Sequence, residues 1–312
     1  MDILFEVKRN NLLELKKYLQ YSSLNVQDEF GRGLLHYAVL GKAIDCINVL
    51  IDYDIDIDLK DSNGQSPLFD AAIKGRLGII KILIRNKANA NIKDCFGNVA
   101  LFYAIKTNNQ AVVDFLTDNT DLTLVNNKQE NALLKSIKFN YHDVEKFDDG
   151  NIHYNHINDS ILHYAVKYNN LKLVKKYANR FLINQKNNND ESVFFYAVKF
   201  GNRDIVRELL QYLPVVDITN KYSENLIDVS VNNHYEISDL IENYLSSLDF
   251  IYYKKNHSHI YKYLCDNIID KAITNKILNK KDNFSLSLID YLNFYEDKPN
   301  LKMLDKNKNN RN

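Results

Sequence analysis

The most constraining feature of this chain is a segment written seven times at a nearly fixed interval. "DEFGRGLLHYAV" (28–39), "DSNGQSPLFDAA" (61–72) and "DCFGNVALFYAI" (94–105) place Asp28, Asp61 and Asp94 33 residues apart, and Gly31, Gly64 and Gly97 likewise. Further copies open at Asn127, Asn155, Asn187 and Asn220, so the intervals read 33, 33, 33, 28, 32 and 33. Seven residues into each copy stands Leu35, Leu68, Leu101, Leu134, Leu162, Phe194 or Ile227, and ten residues in Ala38, Ala71, Ala104, Ile137, Ala165, Ala197 or Ser230. A fixed period of this length is the signature of stacked supersecondary units, none of which can bury its apolar face alone.

Each recurring residue type has a physical role. An Asx side chain accepts hydrogen bonds from backbone N–H groups just ahead of it and so opens a tight turn. The glycine three residues on takes a positive φ without a Cβ penalty. The large apolar residue and the alanine then share one face of a short helix, the alanine letting a neighbouring helix come close. A second apolar-periodic segment follows, as in "INVLID" (47–52), "IIKILI" (79–84), "VVDFLT" (112–117) and "IVRELL" (205–210).

This turn–helix–helix unit resembles the ankyrin repeat, whose pattern runs D-x-x-G-x-T-P-L-H-x-A-A. "DSNGQSPLFDAAIKG" (61–75) is the closest copy, and "KANANIKD" (87–94) is similar to the segment between repeats. The resemblance covers residues 1–246 and implies an all-α ankyrin-repeat solenoid of stacked helix–turn–helix units with hairpin-like turns. The domain organisation it suggests is an N-terminal capping helix pair over 1–27, a repeat array over 28–246, and a helical C-terminal cap or appendage over 247–312 ending in a disordered basic tail. Some units depart from the pattern. Only Ser66-Pro67 keeps a Thr-Pro-like pair, and Asp54 and Lys87 stand where glycine is expected after the second helix. The fourth unit, 127–154, is five residues short and contains "HDVEKFDDGNIHYN", which reads as a degenerate repeat with a stunted second helix.

Histidine occurs in the first-helix motif twice, as "LLHYAV" (34–39) and "ILHYAV" (161–166). Phe69, Phe102 and Phe195 fill the same position in other copies, so it asks for volume and packing, and the resemblance implies that His36 and His163 hydrogen-bond within the turn network rather than move protons. Lys135 and Asp228 take the place in the remaining copies. Tyr37, Tyr103, Tyr164 and Tyr196, next along, are expected to pack between repeats with the hydroxyl outward. "HYNH" (His153, His156) and "HSH" (His257, His259) each offer two imidazoles but no third or fourth ligand nearby. "DYDIDIDLKD" (52–61) lacks the glycine and terminal Glu of a calcium loop and reads as an extended stretch with alternating solvated carboxylates. There is no phosphate-binding glycine loop after a strand, no GxSxG and no HExxH. No catalytic residue, metal site or cofactor is expected.

The composition fits that view. Lys+Arg and Asp+Glu both number 40, which gives no overall pull toward nucleic acid or an anionic membrane. Residues 250–312 hold 12 basic and 7 acidic residues, an excess spread over a Lys/Asn-rich end. Cys46, Cys95 and Cys265 have no disulfide-like spacing, the first residues carry charges at Asp2, Glu6, Lys8 and Arg9, and no run approaches a bilayer span. A cytoplasmic, monomeric protein without nucleic-acid or membrane partners is the expectation.

Function is then expected at the positions that the scaffold leaves unconstrained: two in each turn beside the glycine site and two after the first helix. They are Phe30, Arg32, Asn63, Gln65, Lys74, Phe96, Asn98, Lys106, Lys167, Tyr168, Asn189, Lys199 and Phe200, with His156 at a further turn tip. The resemblance places them on one concave side of the array, where exposed Phe, Tyr and Arg suit the anchoring of a protein partner. The expected function is non-catalytic binding of another protein. The alternative is an effector or enzymatic activity in 247–312 with the repeats as its targeting arm.

Overall fold

The computed structural model describes residues 2–212, 214 and 220–224, with isolated positions 226, 229, 237, 240 and 241 beyond them. The segment 247–312 lies outside the described residues. The described residues hold thirteen α-helices, two short 3₁₀ turns and, in place of a sheet, two isolated bridges, Gln27–Gly33 and Lys186–Ser192. The chain divides between His156 and Ile157 into two compact units.

In the first unit the helices run in antiparallel pairs: α1 (Ile3–Lys8) with α2 (Leu12–Leu19), α3 (Leu34–Gly41) with α4 (Ile44–Asp52), α5 (Pro67–Ile73) with α6 (Leu77–Arg85), and α7 (Ala100–Lys106) with α8 (Gln110–Thr117). The next first helix, α9 (Ala132–Lys138), is followed by a 3₁₀ turn, Val144–Phe147, in place of a second α-helix. The second unit contains α10 (Ile161–Lys167) with α11 (Leu171–Tyr177), a 3₁₀ turn at Leu182–Asn184, and α12 (Val193–Phe200) with α13 (Arg203–Leu210).

First helices pack on first helices, α1 on α3, α3 on α5, α5 on α7 and α7 on α9 in one unit and α10 on α12 in the other. The small residue at their centre permits this: Ala38, Ala71, Ala104, Ala165 and Ala197 are all fully buried. Gly41 serves the same end, because a Cβ there would run into the backbone carbonyl of Lys8. Second helices contribute a buried pair and a third apolar residue one turn on, such as Cys46, Ile47 and Leu50 or Ile79, Ile80 and Leu83.

The corner between the paired helices is a left-handed residue. Lys42, Gly75, Asn108, Asn140, Asn169 and Gly201 all have φ between 50° and 73°. The second helix then starts on an Asn cap in several copies, Asn109, Asn170 and Asn202 each accepting a hydrogen bond from the third helical N–H. Asn10 (φ 63°) and the cap Asn11 repeat this corner at the N-terminus. The pair α1–α2 therefore shares the corner and cap of the helix pairs that follow.

Candidate interaction surface

The turns are built identically. Asp28 Oδ1 accepts from the N–H groups of Phe30 (2.9 Å) and Arg32 (2.8 Å), and Asp61 and Asp94 do the same for the residues two and four positions on. Asn187 and Asn220 reproduce the pattern in the second unit. Successive turns are joined through backbone: Ser62 N–H donates to Phe30 O (2.8 Å), Cys95 to Asn63 (2.8 Å), Asn127 to Phe96 (3.0 Å) and His156 to Lys128 (2.9 Å), and in the second unit Asn188 to Ile157 (2.9 Å) and Lys221 to Asn189 (3.0 Å). Each carbonyl so used belongs to the residue at the tip of its turn, which fixes the tip while its side chain remains free to face outward.

This geometry shifts the register of the fourth unit. Its opening residue is Asn126 and not Asn127, since Asn126 Oδ1 accepts from Lys128 and Glu130 N–H (2.9 Å each) and Gln129 takes the positive φ of the glycine site. The reason lies upstream: α8 is one residue shorter than α4 and α6, and it closes without the left-handed residue that Asp54 (φ 58°) and Lys87 (φ 68°) supply after those helices. Two adjacent asparagines concealed the missing residue. Leu134 thus occupies the histidine position, Lys135 the tyrosine position and Ser136 the position of the small residue.

Both motif histidines are structural. Gly33 N–H donates to His36 Nδ1 (3.2 Å), which leaves Nε2 protonated and donating to the carbonyl of Gln65 in the next repeat (3.0 Å). Ser160 N–H and His163 Nδ1 are 3.2 Å apart, and His163 Nε2 reaches the carbonyl of Glu191 at 3.2 Å. Burial holds both imidazoles below the ordinary histidine pKa, so they are neutral and fully engaged.

The tyrosines that follow do not turn their hydroxyls outward. Tyr37 donates to Asp28 Oδ2 (2.9 Å), Tyr103 to Asp94 Oδ2 (2.6 Å) and Tyr196 to Asp159 Oδ2 (3.2 Å). Asp28 and Asp94 each keep one oxygen for the turn and offer the other to the phenol, whereas Asp159 belongs to the preceding repeat. Burial beside the Asp94 carboxylate pushes Tyr103 up to about 12. Lys135 substitutes an ammonium for the phenol and forms a buried pair with Glu130 (2.8 Å).

The residue four positions beyond each opening Asx reaches forward to the next repeat. Gln65 Nε2 donates to Tyr103 Oη (3.3 Å) and Asp94 (3.5 Å), Asn98 Oδ1 accepts from Asn126 Nδ2 (3.0 Å), and Arg32 Nε lies 3.7 Å from Asp61 Oδ2. In the second unit Asp159 accepts from Asn187 (2.7 Å) and Glu191 from Asn220 (3.1 Å). Arg32, Gln65 and Asn98 are therefore half-buried ties between repeats, and Lys199 is similarly held by Glu191 (2.6 Å).

The remaining candidates face solvent to different degrees. Phe30 is 57% and Phe96 63% exposed at their turn tips, with Asn63 exposed on the turn between them. Lys74 and Lys106 are exposed at the ends of α5 and α7. In the second unit Phe200 packs against Tyr196 (5.3 Å between rings), the exposed Lys167 lies 5.5 Å over the Phe200 ring, and Tyr168 and Asn189 are half-buried. Sequence reasoning missed Tyr222, 61% exposed and two residues beyond Asn220, the position that Phe30 and Phe96 hold in their turns.

Other groups have local partners. His153 pairs with Asp149 (2.8 Å) and His156 Nδ1 meets the carbonyl of Lys128 (3.2 Å), so the two do not share a ligand position. Asp58, read as a solvated carboxylate, instead receives the backbone N–H of Asn89 on both oxygens (3.0 and 3.1 Å), and Asn91 takes that of Asp121 (2.8 Å). Burial raises the Cys46 thiol to about 11, and Cys95 is exposed. Among the described residues no three His, Cys, Asp or Glu side chains gather as a metal site, and no helix is long and apolar enough to cross a membrane.

The family model described as ankyrin repeats (3 copies) matches residues 4–94, 75–147 and 153–248. The chain belongs to the ankyrin repeat family. The match begins within α1, so the N-terminal helix pair falls inside the ankyrin region. No curated protein matches the chain. Ankyrin repeats generally act as protein–protein interaction modules, and in this ankyrin chain the residues that tie repeats together are now separable from those that face outward.

Proposed function

We propose that the chain is a non-catalytic scaffold that binds a protein partner through the turn tips and first-helix ends of its ankyrin repeats. Phe30, Phe96, Lys74 and Lys106 are the contact residues of the first unit, and Phe200, Lys167 and Tyr168 those of the second. The observation that carries this reading is the exposure of Phe30 and Phe96 on tips whose backbone is fixed by the bonds to Ser62 and Asn127. A soluble chain that holds large aromatics outward on a rigid frame loses little further freedom when they are buried by a partner, which is how preorganisation favours association. Buried aromatic anchors flanked by cations are also the residue types that dominate interface energetics.

Gln65, Asn98, Arg32 and Lys199 support the surface from behind, holding adjacent turns in register. The test is affinity capture with the full chain and with Phe30, Phe96 and Phe200 changed together to Ala. A partner retained by the wild type and lost by the triple variant, with an unchanged circular dichroism spectrum, supports the reading. Equal retention of the same partner by both refutes it.

A further inference from the structure

The turns and first helices of the first unit, residues 28–42, 61–75, 94–108 and 126–140, sort their charges by direction. Their carboxylates are Asp28, Glu29, Asp61, Asp70, Asp94 and Glu130. Asp61, Asp70, Asp94 and Glu130 are buried. Asp28 is half-buried, its oxygens taken by two backbone N–H groups and the Tyr37 hydroxyl. Of the six, Glu29 alone is exposed. The cause is the scaffold itself: a carboxylate that closes a turn points inward, toward the N–H groups from which it accepts.

The cations of the same segments divide differently. Arg32 lies beside Asp61, and Lys135 and Lys138 are each paired with Glu130 at 2.8 Å. Lys42, Lys74, Lys106 and Lys128, one in each repeat, are exposed. Among the described residues none of these four has a carboxylate within ion-pairing distance. Lys42, Lys74 and Lys106 stand at the C-terminal ends of α3, α5 and α7, where the helix field favours a cation. Lys128 holds the tip that Phe30 and Phe96 hold in their turns, its carbonyl accepting from His156 N–H at 2.9 Å. The surface that carries Phe30 and Phe96 therefore shows solvent four ammoniums and one carboxylate.

We propose that the partner segment seated on this surface is acidic, a stretch of protein with apolar side chains between its carboxylates. The inference rests on the proposed turn-tip surface and adds the chemistry of what binds there. Phe30 and Phe96 ask for the apolar side chains, and Lys74, Lys106 and Lys128 ask for aspartate or glutamate beside them. A basic segment would meet repulsion at every repeat, and like charges brought together at an interface exclude a partner. The preference comes from where charge is placed and not from its total, since the whole chain is neutral. One unpaired lysine per repeat is too sparse for a nucleic-acid backbone, whose phosphates recur every few ångströms.

The chain contains a probe of the required composition. Residues 52–58, "DYDIDID", alternate aspartate with tyrosine or isoleucine. A fluorescein-labelled peptide of that sequence is titrated with the full-length chain and followed by anisotropy, alongside a control with each aspartate changed to asparagine. The acidic peptide should bind about tenfold or more tightly than the control, and its affinity should fall as salt is raised. Lys74→Glu with Lys106→Glu should weaken its binding about tenfold or more. Lys74→Gln with Lys106→Gln should weaken it in the same direction without adding charge. Arg85→Glu with Lys87→Glu reverses as many charges on α6 and the corner after it, and should leave binding unchanged.

Absence of saturable binding, or equal affinity for the two peptides, overturns the proposal. So does wild-type affinity in the lysine variants, the glutamine pair deciding the matter if the glutamate pair loses helicity. Tighter binding of single-stranded DNA or of phosphatidylserine vesicles, lost in the same variants, overturns the choice of a protein segment. Phe30→Ala with Phe96→Ala separates the two proposals. Weakened binding there, with none in the lysine variants, sinks the acidic partner and leaves the aromatic tips standing. The reverse pattern sinks the aromatic tips and leaves the acidic partner.

Discussion

His36 and Gln65 stand on consecutive repeats, and the imidazole Nε2–H of one donates to the backbone carbonyl of the other at 3.0 Å. His163 and Glu191 repeat the relationship at 3.2 Å. A neutral ring with both nitrogens engaged is a tie between repeats, and its removal should be felt as stability. His163→Ala should cost about 3 kcal/mol, from a lost buried side chain together with a stranded carbonyl and N–H. His163→Phe keeps the volume found in other repeats and should cost only about 1 kcal/mol. Urea unfolding of the two variants checks the order.

Asp70 occupies the position where five other repeats place tyrosine or lysine, and it is buried. Burial raises its carboxyl to about 6, with the nearby Asp61 adding to the effect against Arg32, Lys74 and Arg76. Since the folded pKa lies above the ordinary 3.8, the contribution to stability is complete below about pH 4 and is lost as pH rises through 6. Asp70→Asn, which mimics the protonated acid, should raise the thermal midpoint at pH 7.5 and have almost no effect at pH 4. Equal shifts at both pH values would refute this account of Asp70.

Glu130 behaves in the opposite sense. Burial alone would raise its pKa, but hydrogen bonds from Lys135, Lys138 and Asn126 outweigh it and hold the carboxyl at about 2, below its ordinary 4.5. Its contribution is therefore present above pH 4.5 and lost as pH falls toward 2. Glu130→Gln leaves Lys135 buried without its counter-ion and should cost about 3–5 kcal/mol at neutral pH. The variant should also show a flatter decline in stability between pH 5 and pH 3, read from denaturation midpoints across that range.

Lys87 holds a φ of 68° on an exposed corner after α6. A side chain in that conformation costs about 1 kcal/mol that glycine does not pay. Lys87→Gly should accordingly stabilise the chain by about 0.5–1 kcal/mol, measurable as a rise in urea midpoint. A loss of stability would mean that the lysine contributes more than its backbone strain.

The repeat architecture was legible in the sequence because period, Asx, glycine and alanine report directly on turn geometry and helix contact. What the sequence concealed was pairing across repeats. Gln65 and Asn98 look unconstrained because they vary in type, yet any side chain that can bond the next Asx serves there. Tyr103 looks amphipathic enough to face water, but the second oxygen of Asp94 gives its hydroxyl an internal partner. Asn126 was displaced by one because a shortened α8 removed a residue that asparagine at 127 then appeared to restore. Phe30 and Phe96 were visible as outward residues because nothing in a turn tip, beyond its backbone, is used by the scaffold.

A protein partner seated on those tips would lie within reach of residues placed there. The most direct measurement places the photo-crosslinking residue p-benzoylphenylalanine at 30, 96 or 200 in the full chain, with a control at the exposed Arg85 on α6. Positions 30, 96 and 200 should each crosslink the same partner, and position 85 should not. Crosslinking of a partner at 85 with none at the three aromatic positions would contradict that placement.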